Sequence, residues 1–341
     1  MFLSRKFSSF FLILVFTQSS LLGQSEKHQP IHILFYNVEN LFDTQDDPAS
    51  LDEEFLPDGD RRWNDFRFYQ KLKQLSKVIL SSAGFEPPEI IGLCEVENRF
   101  VLEKLLDATP LKGQAYAIVH KDSPDERGID VALLYRTDRL VPLSYQYIPV
   151  LNERSEVEST REILHATFLL PGEDTLHVFF NHWPSRYGGQ TESEPKRMQA
   201  ARALKKAISE VRADYPSAKI VIMGDLNDQP QNRSLTEGLE AVAADDANVD
   251  GELVNLSAEW QQGTIKYRQT WTVFDQIIVS DHLLKGEGWH TRPENAAPVS
   301  LPFLLEPDAK FKGQKLKRTY VGFKYHGGFS DHLPVLLKLE R

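Results

Sequence analysis

The sequence contains a single cysteine, Cys94, and this scarcity excludes several architectures. No internal disulfide can form, and no cysteine near the N-terminus is available to carry a lipid anchor. A zinc site is also disfavoured, because the ten histidines show neither H-E-x-x-H spacing nor paired cysteines beside them. Stability must therefore come from the hydrophobic core and from any bound metal.

Long hydrophobic runs are also missing. The apolar run over 10–16 is shorter than the roughly 20 residues that a membrane-spanning helix needs, so we predict no transmembrane anchor. This run follows Arg5 and Lys6 and precedes small or polar residues, which is the three-part pattern of a secretory signal peptide. We therefore predict a signal peptide over residues 1–23 and an exported protein over residues 24–341, either periplasmic or extracellular.

The sequence contains fewer basic than acidic residues, 39 against 49. The formal net charge is -10, and it becomes -12 when Arg5 and Lys6 leave with a signal peptide that contains no acid. So acidic a protein cannot bind nucleic acid through its overall charge. Binding of a polyanion would require divalent ions or a local basic patch. One candidate basic patch consists of Lys310, Lys312, Lys315, Lys317 and Arg318. Such a charge run is also typical of a solvated loop, and no obligate protein partner is evident.

Hydrophobic residues occur in short continuous runs that predict strands buried on both faces. The runs cover 31–36, 90–96, 129–135, 176–180, 220–223, 273–279 and 333–337. A helix is predicted over 65–83, where Phe66, Tyr69 and Leu72 begin an apolar stripe, and another over 195–211, with Pro195 in its first turn. No repeat or long flexible linker divides the chain, so the simplest organisation is one α/β domain.

Acids, amides and histidines follow many of these strands. They are Asn37, Glu39, Glu95, Asn181, His182, Asp225, Asn227, Asp275, Asp331 and His332. A single aspartate after a strand is usually a turn former, and a single histidine is usually structural. The whole set requires another explanation, because turns do not favour histidine or glutamate. Since loops at strand ends are where a rigid scaffold presents catalytic groups, we predict an active site there.

The residue types also predict the cofactor. Carboxylate and amide oxygens are hard ligands that favour Mg²⁺, Mn²⁺ or Ca²⁺ over zinc. With few protein ligands, such an ion keeps positions for phosphate oxygens and water, as phosphoryl chemistry requires. We therefore predict a divalent cation, Mg²⁺ first, and hydrolysis of a phosphate ester.

Six motifs occur in an order that resembles the endonuclease/exonuclease/phosphatase superfamily. They are Tyr-Asn-Val-Glu-Asn at 36–40, Glu-Val-Glu-Asn at 95–98, Asn-His-Trp at 181–183, Gly-Asp-Leu-Asn at 224–227, Phe-Asp-Gln-Ile at 274–277 and Ser-Asp-His-Leu-Pro-Val at 330–335. The superfamily includes DNase I-like nucleases, sphingomyelinases and inositol-phosphate phosphatases. The resemblance covers about 31–339 and implies a four-layered α/β sandwich, with two packed mixed sheets flanked by helices.

The resemblance also implies a metal side of the site. Glu95 would be the principal ligand of the divalent cation. Asn37 and Glu39 would lie beside it and help to hold the ion or the phosphate, and Asp331 would complete the carboxylates on this side. These four residues are the predicted metal-binding set.

On the catalytic side, the resemblance implies that Asp225 orients and deprotonates the attacking water. Asn227 would hold that water or a phosphate oxygen, and His182 would donate a hydrogen bond to a nonbridging oxygen. Asp275 would pair with His332 and favour its charged form, so that the imidazolium stabilises the transition state.

Two arginines are candidate phosphate ligands, because the guanidinium fork matches phosphate geometry. Arg127 precedes a predicted strand, and Arg186 follows the Asn-His-Trp motif. An ordinary surface salt bridge explains each of them equally well. Trp183 could stack on a base or a sugar, although tryptophan usually serves packing.

The favoured substrate is DNA or RNA, cleaved at a phosphodiester. The alternative is a small or lipid phosphate ester, and the apolar segment over 299–305 is either a membrane-touching loop or a buried one. A calcineurin-like phosphatase would need early Asp-x-His and later Gly-Asn-His motifs, which are missing. A binding module that has lost catalysis is disfavoured because Asp225, His182, Asp275 and His332 are all present.

Overall fold

The structure is a computed structural model that describes residues 28–246, 251–286 and 288–341. The predicted signal peptide over 1–23 lies outside the described residues. Within them, no helix combines the length and hydrophobicity that crossing a membrane requires.

The helices are α1 (Asp65–Ser82), α2 (Arg99–Asp107) and α3 (Gln190–Asp214). The first two begin after an asparagine, Asn64 or Asn98, whose side chain accepts a backbone N–H of the first turn. The helix predicted over 195–211 starts five residues earlier than expected, directly after Gly189. The φ of Gly189 is 128°, a value that only glycine adopts readily, so the chain turns at this residue. Because the helix begins earlier than predicted, Pro195 lies inside α3.

The buried face of α1 differs from the predicted stripe. Phe66 and Tyr69 are 76% and 46% exposed, whereas Phe68, Leu72 and Ile79 are buried. Phe68 lies four residues before Leu72, and this spacing places it on the same helix face as the remaining apolar residues. The predicted helix was therefore right, but its first two core residues were wrong.

Two large mixed sheets form the centre of the molecule. The strands of the described residues, numbered in chain order, are β1 (Ile31–Leu41), β2 (Ile90–Val96), β3 (Tyr116–Val119), β4 (Asp130–Arg136), β5 (Val141–Ile148), β6 (Ile163–Leu170), β7 (Asp174–His182), β8 (Lys219–Asp225), β9 (Ala241–Ala243), β10 (Leu253–Asn255), β11 (Ile265–Tyr267), β12 (Thr270–Thr272), β13 (Asp275–Ser280), β14 (Ala296–Pro298), β15 (Leu305–Pro307), β16 (Gln314–Leu316), β17 (Tyr320–Val321), β18 (Lys324–Tyr325) and β19 (Val335–Leu339). One sheet has the order β14-β19-β1-β2-β4-β3 and the other β5-β6-β7-β8-β13-β10-β9. The remaining strands pair as the hairpins β11–β12, β15–β16 and β17–β18.

The sheets pack face to face through a shared core. Phe35 of β1 and Phe180 of β7 stack across the interface, with ring centroids 6.2 Å apart. A second core lies between the six-stranded sheet and the helices α1 and α2, and a third lies between the seven-stranded sheet and α3. Strands β1 and β2 are therefore buried on both faces, as predicted. The predicted four-layered α/β sandwich is confirmed.

The strand pairing gathers several polar residues at one edge of the sheets. In the seven-stranded sheet, His182 of β7 pairs with Asp225 of β8, and Asp225 pairs in turn with Asp275 of β13. In the other sheet, Asn37 of β1 pairs with Cys94 of β2, directly before Glu95. Because each register is fixed by the hydrophobic residues along the strand, packing also fixes where these groups meet.

Gly92 provides a test of the packing between the sheets. A Cβ added at Gly92 would lie 2.2 Å from the ring of Phe180. We expect Gly92→Ala to lower the free energy of unfolding by about 1–3 kcal/mol, because an overpacked interface must shift. Urea denaturation measures this change. Gly113→Ala is the control, since nothing lies within 4 Å of its added Cβ, and equal stability of the two variants would contradict the packing.

Candidate active site at the ends of the two sheets

The carboxylate of Asp225 lies at the centre of the polar residues and is almost fully buried. Its Oδ1 accepts the backbone N–H of Asn227 at 3.0 Å, and its Oδ2 accepts the amide Nδ2 of Asn37 at 3.1 Å. The same Oδ2 lies 3.7 Å from Nε2 of His182 and 3.8 Å from Nε2 of His332. Four predicted site residues therefore surround one aspartate.

The structure brings Asp275 and His332 together, with Oδ2 of the acid 2.7 Å from Nδ1 of the imidazole. Burial alone would lower the pKa of His332, but the carboxylates of Asp275 and Asp225 raise that pKa well above its ordinary value. The backbone N–H of His332 donates to Ser330 Oγ, which itself donates to the carbonyl of Asn37. The site therefore holds a charged, oriented imidazolium beside Asp225.

The second imidazole has the opposite character. Burial, followed by the charges of Arg161 and Arg127, lowers the pKa of His182 well below its ordinary value, so this histidine is neutral. Its Nε2 faces the carboxylates of Asp225 and Glu95, at 3.7 and 3.9 Å, which favours the tautomer that carries its proton on Nε2. His182 can therefore donate one hydrogen bond into the site without adding a charge.

Burial also raises the pKa of Asp225, to about 7, and the neighbouring carboxylates of Asp275 and Glu95 add to the increase while His332 opposes it. A carboxylate with a pKa near neutrality is a better proton acceptor than an ordinary aspartate. The environment of the residue predicted to deprotonate water therefore raises its basicity.

Four residues at the site have a strained backbone conformation. Glu39, Asn40, Glu95 and Asn227 all have a positive φ, between 51° and 62°. The first three lie where the register of β1 against β2, or of β2 against β4, shifts. Such irregularities re-aim side chains and are typical of functional sites. They turn the carboxylate of Glu95 towards Asn37, whose Nδ2 donates to Oε1 at 3.2 Å.

Two predicted metal ligands have other contacts. Oδ1 of Asn37 accepts the N–H of Glu39, so this side chain presents its amide nitrogen, not its oxygen, to the carboxylates. The carboxylate of Glu39 accepts the N–H of Thr319 at 2.7 Å and lies 3.4 Å from Arg318. In this geometry Asn37 orients the site acids and Glu39 anchors the chain at Arg318, and the assignment of either residue as a metal ligand stays a prediction.

A buried lysine that the sequence did not single out supports this anchor. Nζ of Lys71, on the inner face of α1, donates to Thr319 Oγ1 and to the carbonyl of Phe329. Burial lowers the pKa of Lys71 to about 8, an effect opposed by the charges of Glu39 and Asp331. Its helical position beside Leu72 is the only sequence signal of burial, and that signal says nothing about its partners.

The site contains more carboxylates than cations. The carboxylates belong to Glu39, Glu95, Asp225, Asp275 and Asp331, and the cations to Lys71, Arg318 and His332. The excess of negative charge and the hard oxygen donors fit a divalent cation. Glu95 and Asp331 would hold it, because their side chains remain 15% and 20% exposed, whereas those of Glu39, Asp225 and Asp275 are only 5%, 3% and 0% exposed.

Arg186 holds the end of β8 rather than an open phosphate site. Its Nε donates to the carbonyl of Asn227 at 2.8 Å, and its Nη2 pairs with Asp228 at the same distance. Its guanidinium also lies 4.7 Å above the ring of Phe274. Arg197 of α3 is fully buried and pairs with Asp228 as well. Both arginines therefore position the loop that carries Asn227.

Arg127 remains open to a ligand. Its side chain is 48% exposed, and its only ion pair within the described residues is a 3.5 Å contact with Asp125. Trp183, by contrast, is buried, and its Nε1 donates to Asn181, so it cannot stack on a substrate. Its carbonyl accepts the Nδ2 of Asn227 and thereby fixes that side chain.

Solved structures share this fold at low sequence identity. An endonuclease/exonuclease/phosphatase family protein from Bacteroides thetaiotaomicron is 16% identical, with a TM-score of 0.55 over 92% of this chain and 98% of that one. A mannosyl-6-phosphatase from the same organism is 14% identical, with a TM-score of 0.58 over 91% and 100%. D. rerio TDP2 in complex with a single-stranded DNA product is 14% identical, with a TM-score of 0.53 over 92% and 100%.

No functionally curated protein matches the sequence. The sequence model of the Endonuclease/Exonuclease/phosphatase family, however, matches residues 32–341, which include every residue of the site described above. The chain therefore belongs to the endonuclease/exonuclease/phosphatase family of metal-dependent phosphoester hydrolases.

Proposed function

We propose that the protein is an exported nuclease that uses Mg²⁺, with Mn²⁺ or Ca²⁺ as possible substitutes, to hydrolyse phosphodiester bonds in DNA or RNA. The observation that carries this proposal is the position of Asp225 between a neutral and a charged imidazole, both within 4 Å of its Oδ2. A proton acceptor and two donors at one point are what the attack of water on a phosphate requires.

In this mechanism, Asp225 takes the proton of the attacking water, whose oxygen bonds to phosphorus as the bond from phosphorus to the leaving alkoxide breaks, and the alkoxide takes its proton from solvent. The backbone N–H of Asn227 keeps the Asp225 carboxylate oriented. His182 and His332 donate to the nonbridging phosphate oxygens, on which negative charge develops. Asp275 keeps the imidazolium of His332 in place. Glu95 and Asp331 would hold the divalent cation, which would neutralise the phosphate charge when bound.

The surroundings of the site favour a polymeric substrate. Asp331 borders one cleft of about 600 Å³, and Arg127, whose charge acts on His182, borders another of about 590 Å³. A polymeric substrate is long enough to contact both clefts. The alternative, a small or lipid phosphate ester, needs neither cleft. Of the apolar segment over 299–305, Leu304 is buried and Phe303 packs against the core, so it offers little to a membrane.

The first prediction concerns the water-activating residue. We expect Asp225→Asn to lower the rate of plasmid nicking by about 10²–10⁴-fold, because the amide cannot accept the proton. Asp214→Asn, which alters an exposed acid at the end of α3, should keep the wild-type rate. Circular dichroism checks that both variants fold. A wild-type rate for Asp225→Asn would assign proton transfer to another group, and a wild-type protein that cleaves small esters but no plasmid would favour the alternative substrate class.

The second prediction concerns the cation and does not depend on turnover. Saturating Mg²⁺ or Mn²⁺ should stabilise the wild-type protein, by about 2.7 kcal/mol at a concentration 100 times the dissociation constant. Thermal denaturation with and without EDTA measures this stabilisation. We expect Glu95→Gln to abolish it and Glu259→Gln, at an exposed site, to retain it. Equal stabilisation of the two variants would contradict the assignment of Glu95.

The third prediction concerns export. When the full chain is produced with its own leader in a bacterial host, mass spectrometry of the exported fraction should identify a mature protein that begins at Gln24. Leu14→Arg, which places a charge within the apolar run over 10–16, should block processing. Recovery of the unprocessed wild-type chain inside the cell would refute the signal peptide and leave the enzymatic proposal intact.

A further inference from the structure

A strongly basic cleft lies beside the active site of this acidic protein. It has a volume of about 600 Å³ and is formed by α1, the hairpins β11–β12 and β15–β16, and the segment that follows β16. The basic side chains of this cleft, here called the basic cleft, are Lys77, Lys266, Arg268, Lys310, Lys315, Lys317 and Arg318. Its acids are Glu306, Asp308 and Asp331. A chain with a net charge of -10 therefore concentrates positive charge at one place.

Several of these charges are available to a ligand. Lys266 is committed to Asp308, because the two side chains are buried and 2.9 Å apart. Lys315 and Arg318 also have acidic partners. Within the described part of the chain, however, no carboxylate forms an ion pair with the other four basic residues, which are Lys77, Arg268, Lys310 and Lys317. An anionic ligand would gain these contacts without breaking an ion pair.

Aromatic rings line the same cleft. Nζ of Lys77 lies 4.1 Å from the ring centroid of Phe303, and Nζ of Lys310 lies 5.1 Å from that of Phe311. Both rings are partly exposed. Positive charge along a groove, combined with rings on which bases can stack, is the arrangement that binds single-stranded nucleic acid without sequence preference. A duplex offers no free base faces to such rings.

The basic cleft is continuous with the catalytic residues. Arg318 lies in its wall and pairs with Asp331 at 2.7 Å, and Oδ1 of Asp331 is 4.0 Å from Nε2 of His332. We propose that the basic cleft binds the backbone of a single-stranded nucleic acid on one side of the scissile phosphate, with a base against Phe311. This inference rests on the proposed nuclease function and specifies the form of its substrate.

Binding without turnover tests the proposal. The mature protein over residues 24–341 is titrated in EDTA against a fluorescent single-stranded oligonucleotide at several salt concentrations, and anisotropy gives the affinity. We expect Lys310→Ala combined with Lys317→Ala to weaken binding and to reduce the slope of log affinity against log salt by about 1.4, since each lost phosphate contact removes about 0.7. Lys112→Ala combined with Lys206→Ala, two exposed lysines outside the cleft, should leave affinity and slope unchanged.

Three results would overturn the proposal. The first is a lysine variant with the affinity and slope of the wild-type protein, and the second is a wild-type protein that does not bind the oligonucleotide. The third is a protein that uses Lys310 and Lys317 to bind inositol hexakisphosphate or phosphatidylserine vesicles and does not bind the oligonucleotide. Because no hydrolysis is measured, a protein that binds in the cleft but cleaves no nucleic acid would refute the nuclease function alone.

Discussion

The contact between Asp275 and His332 is the interaction on which the site depends. A buried carboxylate at 2.7 Å keeps the imidazole charged, although burial favours its neutral form. That positive charge compensates the nearby Asp225, which would otherwise be a second uncompensated acid in a dry environment. With the imidazolium in place, the charged form of Asp225 is favoured although the side chain is buried, and a phosphate approaching it meets a fixed positive charge.

The fold brings these groups together by making strands from separate parts of the chain end at one edge. Each sheet is covered on both faces, so hydrophobic packing fixes its strands in a single register. The rigid registers of β7, β8 and β13 set the distances among His182, Asp225 and Asp275. The irregular ends of β1 and β2 then adjust the facing residues, at the expense of a strained backbone at Glu39 and Glu95.

Two neighbouring regions of the surface carry opposite charge. The catalytic pocket carries excess carboxylate, which suits a divalent cation, while the basic cleft beside it concentrates lysine and arginine. Arg318 lies at the boundary, where its guanidinium contacts both Glu39 and Asp331. An acidic protein can in this way attract a polyanion locally, whereas the rest of its surface repels nonspecific ligands.

The sequence by itself determined the family and seven strands of the two large sheets, and it placed candidate site residues at the ends of those strands. Runs such as that of β2 are continuously hydrophobic because both faces are covered, and this property is readable without knowing the neighbours. The paired acid and histidine at 275 and 332 were likewise predicted from their motifs. The structure added the distance between them, 2.7 Å from Oδ2 of Asp275 to Nδ1 of His332.

The tertiary structure alone decided which hydrogen bonds and ion pairs the polar side chains form. Glu39 accepts a hydrogen bond from Thr319, 280 residues away, and Lys71 reaches the same residue from α1. Arg186, predicted as a phosphate ligand, instead joins Arg197 on the buried carboxylate of Asp228. No local pattern specifies such contacts, because a charged side chain looks the same in sequence whether it faces solvent or a distant buried partner. Hydrophobic spacing reports burial, but only the packed sheets and helices determine which charges meet.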